Sequence, residues 1–147
     1  MKRGEITRLL ASVDLNKFES FVLQQVPELQ SLLVEAQGGN RIDIRTNLCF
    51  YWADGVMYGI LKLMEDPEKN KEILQRVFRL IEVLLGEKEV IQSVVRGATF
   101  GEFYRREELR QIAQPLMGQK TKRMWEEYIE KQTAFALWQL SQMGGAE

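Results

Sequence analysis

The sequence contains no histidine. That single absence excludes Ser-His-Asp triads, the Glu-x-x-His ligand sets of di-iron bundles and every histidine-bearing zinc site. Cysteine is almost missing as well. Cys49 is the sole thiol, so neither an intrachain disulfide nor a cysteine-built zinc site can form. It sits between Leu48 and Phe50 with no basic neighbour in sequence, as a small apolar residue does and a nucleophile does not. Neither kind of glycine-rich phosphate loop, G-x-x-x-x-G-K-[ST] or G-x-G-x-x-G, is present. No sign of charge is in excess: 20 Lys and Arg stand against 21 Asp and Glu, a net charge of -1. Nucleic-acid binding, which draws its affinity from a basic surplus, is not expected. No apolar run approaches the roughly 18 residues of a membrane span. The leading "MKRGEITRLLASVDLNKF" is interrupted by Asp14, Asn16 and Lys17, which is not a signal-peptide core. The expectation is a soluble, cytoplasmic protein with no membrane partner.

What the chain does have is helical periodicity. Its 147 residues are 45% apolar and 28% charged, enough for one domain spanning 1–147 that buries about two thirds of its unfolded surface. Only three prolines interrupt the pattern. Asp14 reads as the N-cap of a helix with Leu15, Phe18, Phe21 or Val22, and Val26 on one stripe. Pro27 kinks or restarts it, and Gly38-Gly39 stop it. In the polar loop that follows, Ile42 and Ile44 alternate with charges, which allows a short extended piece. "LCFYWADGVMYGILKLM" is apolar nearly all round and predicts a central helix covered by others. Further helices are predicted from Pro67 to Gly86, over 87–104 and 106–117, and over 119–143. The fold class is therefore all-α, a bundle of six or seven helices with a long C-terminal one.

Three groups of residues could carry chemistry. At helical spacing Tyr51, Asp54 and Tyr58 share one face of the central helix. A carboxylate there is either a buried hydrogen-bonded strut or the polar floor of a small-ligand cleft. Glu102 lies among Phe100, Phe103 and Tyr104, within reach of Arg105 or Arg106 one turn on. Gly97 and Gly101 share a side, as do Gly55 and Gly59, each at about 1 kcal/mol of helix propensity. Close approach of these two smooth faces, one to the other, is the simplest account. Last, Trp125, Tyr128, Phe135 and Trp138 lie on a final helix roughly 36 Å long, longer than a small bundle core. Part of that aromatic surface is expected to stand clear of the domain, for self-association or a protein partner. The basic "QKTKRMW" followed by the acidic "EEYIE" adds a bipolar surface. A carboxylate-held metal would need two facing acidic pairs; Glu127 with Glu130 and Glu126 with Glu130 have the spacing, and no convincing second pair lies on an apolar-flanked helix. No metal and no cofactor is expected. A metal-dependent helical enzyme and a small-ligand sensor stay as alternatives to a binding role.

The segments "FVLQQVPELQSLLVEA", "YWADGVMYGILKLM", "VIQSVVRGATFGEF" and "LMGQKTKRMWEEYIE" span most of the chain. In order and character it resembles a group of small all-helical bacterial proteins of the immunity-protein kind. The resemblance implies a compact bundle without catalytic chemistry that acts by binding. It carries over no functional residue.

Overall fold

The computed structural model describes residues 3–144. Among them are eight helices and no strand: α1 (Arg3–Ala11), α2 (Leu15–Gln25), α3 (Leu29–Gly38), α4 (48–64), α5 (Lys71–Leu84), α6 (Glu89–Arg105), α7 (Glu107–Ala113) and α8 (Gln119–Gly144). The chain is all-α with a long C-terminal helix. α1 is the element that the sequence pattern does not single out. It buries no residue, although Ile6, Leu9, Leu10 and Val13 recur along it and just beyond at helical spacing.

Local chemistry sets the helix boundaries. Asp14 accepts from the Lys17 backbone N–H at 3.2 Å and starts α2 as the N-cap. Pro27 restarts the helix and does not kink it, since α2 ends at Gln25 and α3 begins at Leu29. The joint is held by Glu28, whose carboxylate takes a two-pronged grip from the Arg76 guanidinium of α5. The extended piece around Ile42 and Ile44 does not form. Asp43 instead accepts from the Arg45 N–H at 2.8 Å and nucleates a 3-10 turn, Ile44–Thr46, that buries Ile44.

α4 is the centre, as its all-round apolar character predicts, with Tyr51, Trp52, Val56, Ile60 and Met64 buried. Its middle, Tyr51–Val56, is a π-helical stretch between α-helical ends Leu48–Phe50 and Met57–Met64. Gly55 and Gly59 let α3 and the 3-10 turn come close. A Cβ on Gly55 would stand 3.0 Å from Leu33 and 3.1 Å from Ile44; one on Gly59 would stand 3.0 Å from Leu29 and 3.2 Å from Leu32. Across the other side of α4, the buried Trp52 indole N–H donates to the Thr99 hydroxyl of α6 at 2.9 Å. Each large side chain sealed in this core contributes about 1.5–3 kcal/mol.

α8 is tied down at its start by a side chain from another helix. Glu82 of α5 accepts from the Thr121 backbone N–H at 2.6 Å, the Thr121 hydroxyl at 2.8 Å and the Lys120 N–H at 3.2 Å. A carboxylate at a helix N-terminus meets both the free N–H groups and the positive end of the dipole. Gly118 leaves room for it, because a Cβ there would collide with the Glu82 carboxylate. Partial burial alone would raise the Glu82 pKa. The hydrogen bonds from Thr121 and Lys120, with the Lys120 charge, outweigh this and hold it below the ordinary carboxylate range. Glu82→Gln should cost about 1–3 kcal/mol in urea unfolding at neutral pH. Because the folded pKa is depressed, the wild-type advantage is full above the unfolded glutamate pKa and fades as pH falls through the folded one. A difference between the two proteins that is flat with pH would contradict this role.

Candidate functional site

The group at Tyr51, Asp54 and Tyr58 does not assemble. The π-helical stretch spends more residues per turn than the 3.6 of an α-helix, so positions in it slip out of α-helical register. Tyr51 points into the core, whereas Asp54 faces solvent and makes no hydrogen bond or ion pair among the described residues. The expectation of a desolvated Asp54 is therefore corrected. Tyr58 is half-buried, and its hydroxyl donates to Glu35 at 2.6 Å. The Tyr51 hydroxyl is buried without a hydrogen-bond partner. Burial, then the negative charge of Glu19, pushes its pKa up, so the phenol is protonated at neutral pH. Such a group supplies neither a base nor a nucleophile.

Glu102 is half-buried in the last turn of α6 and pairs with Arg105, while Arg106 turns to Glu108 at 2.9 Å. Both pairs are exposed at their cations, where ion pairs contribute little. The carboxylate among aromatic residues is thus the polar edge of α6. Among the described residues no group of three or more Cys, Asp or Glu side chains gathers where it could hold a metal ion. No described helix is long and apolar enough to cross a membrane.

The two glycine faces do not meet either. Gly55 and Gly59 lie against α3, whereas Gly97 has nothing within 4 Å of a built Cβ, and Gly101 faces the Tyr128 hydroxyl at 3.9 Å. Gly97 instead forms part of the wall of a groove of about 280 Å³ between α6 and α8, with Ser93, Arg96, Met124, Tyr128 and Lys131.

The aromatic residues of α8 divide into two sets. Trp125 is buried; it stacks parallel to Tyr128 at 6.0 Å and meets Phe100 edge-on at 5.5 Å. Beyond Ile129 the helix leaves the body. Phe135, Leu137, Trp138, Leu140 and Met143 are between 55 and 73% exposed, and Phe135 and Trp138 stack only on each other. These five do not form one stripe. At 100° per residue Trp138 lies on the side opposite Leu140, so the free segment is apolar nearly all round. No charged residue occurs between Lys131 and Glu147. A solvated helix normally carries charges at i,i+4, and an apolar helix is normally covered. The free half of α8 has neither provision. Helix length and the aromatic residues predict this arm from sequence; its lack of charge is the further signal, and Leu137 and Leu140 belong to it as much as Trp138 does. Trp125, by contrast, is core.

Compared with known proteins, the chain matches no family model, no curated protein and no solved structure.

The glycines should respond oppositely to the same substitution. Gly97→Ala meets open space and should raise unfolding stability by up to about 1 kcal/mol through helix propensity. Gly55→Ala and Gly59→Ala gain the same propensity but push on Leu33, Ile44, Leu29 and Leu32, and should lose about 1–3 kcal/mol net. Thermal melts of the three variants check this, and a stabilised Gly59→Ala would contradict the close packing of α3 on α4.

Proposed function

We propose that this chain is a non-catalytic protein-binding module of the immunity or adaptor kind, and that its contact element is the free half of α8. One observation carries the reading: residues 132–144 form an uncharged helical arm whose large apolar side chains lie in water, beyond the body that anchors its root. Exposed apolar area of this extent marks an interaction surface, and aromatic side chains such as Phe135 and Trp138 are the type that anchors protein interfaces. The body supplies rigidity. Capped by Glu82 and seated by Trp125, α8 presents the arm in a fixed direction, which lowers the ordering cost of binding.

A photoreactive benzoylphenylalanine in place of Trp138 tests this in the source cells. Illumination should give a discrete adduct with one polypeptide, and the adduct should disappear when Phe135→Glu, on the same side of the helix, is added. Absence of any adduct from positions 135, 138 and 140 alike would contradict a binding role for the arm.

A further inference from the structure

The arm and the groove at its root lie on one chain and fit each other. The side of α8 that walls the groove carries Met124, Tyr128 and Lys131, and the same side continues along the arm as Phe135, Trp138 and Gln142. Those six positions alternate in steps of four and three, the spacing of a helix-pairing seam. We infer that the arm pairs antiparallel with the arm of a second copy, about a two-fold axis at the level of Thr133. The inference rests on the binding role proposed above and names the partner.

In that register each seam residue has a chemically suitable counterpart. Trp138 of one copy meets Tyr128 of the other, aromatic against aromatic. Lys131 lies over Phe135, a cation against a ring face. Gln142 reaches Met124 at the mouth of the groove, beside Gly97. The open side of Gly97 then has a purpose that its own chain does not supply, since among the described residues nothing outside its own helix backbone comes within 4 Å of a Cβ there. Close approach of a neighbouring backbone is the usual reason for a glycine inside a helix. Charge permits it: the groove holds Arg96, Lys131 and Glu127, and the part of the second copy's arm that enters it, within 132–142, carries no charge.

A two-fold pairing also buries arm and groove of both copies at once and closes the assembly at two chains. A helical segment of about 15 residues laid along its twin and the twin's groove covers on the order of 600 Å² per copy. The total of about 1,200 Å² is the lower limit of specific association, so the pair should dissociate on dilution through the micromolar range. A foreign partner would have to match both the arm and the adjoining groove, whereas a second copy brings the complement of each.

Sedimentation velocity of the full chain across the micromolar range is the test. The average mass should rise from 17.1 kDa toward twice that value with concentration. Trp138→Glu removes an arm anchor, and Gly97→Gln fills the groove from a position where a Cβ meets open space. Each should weaken association by at least about tenfold with the far-ultraviolet circular dichroism unchanged. A mass that stays at one chain throughout, or a dimer indifferent to either variant, would overturn the pairing. The cross-link from position 138 separates this failure from that of the broader reading. An adduct of two copies upholds both, and an adduct with a different polypeptide from a monomeric protein sinks only the pairing. No adduct sinks both.

Discussion

The long last helix is held by its first three turns alone. Glu82 closes its N-terminus from α5, and Trp125 fixes its rotation by seating among Phe100, Phe103 and Tyr128. Past Ile129 none of its described hydrophobic residues belongs to the core or packs on it. Everything distinctive about this surface follows from that asymmetry of attachment. A helix end with no tertiary packing keeps only its intrinsic propensity, and isolated segments of about 15 residues are marginal in water. The rigid root supplies the nucleus that such a segment lacks. The arm is thereby helical at low cost, and a partner gains a contact element that is already ordered.

The body serves this geometry. The Trp52 to Thr99 hydrogen bond ties α4 to α6, and α6 in turn gives the aromatic floor on which Trp125 rests. The Arg76 grip on Glu28 closes the joint between α2 and α3 against α5, the helix that also carries Glu82. Burial would raise the Glu28 carboxyl, but the Arg76 hydrogen bonds exceed it and hold the pKa low, so the pair is charged at neutral pH. These polar ties are spread over several helices, and each joins two elements of the scaffold.

Much of the scaffold is legible in the residues. The apolar circumference of α4, the cap at Asp14, the stop at Gly38-Gly39 and the length of α8 all follow from local physical chemistry. The misreadings have physical causes. α1 carries Ile6, Leu9 and Leu10 at helical spacing, but it is short and buries no residue. The π-helical turns between Tyr51 and Val56 change the angular step, and a face drawn at 3.6 residues per turn puts Asp54 on the wrong side. Glycine spacing marks a smooth face without saying what lies against it: Gly55 and Gly59 meet α3 and not Gly97 and Gly101. The arm was half legible: its aromatic residues and excess length show in the sequence, whereas its point of exit depends on Glu82 and Trp125, which only the fold brings together.

Hydrogen–deuterium exchange at low and high protein concentration tests the central claim most directly, because it reads the arm and the body in one experiment. The account predicts that amides within 132–142 exchange fast in dilute protein and slow markedly as concentration rises. The turn of α6 around Gly97 should follow, with the core of α4 unchanged. Exchange along the arm that is as slow in dilute protein as in concentrated, or fast in both, would contradict the assignment of this helix end as a contact element that meets its own kind.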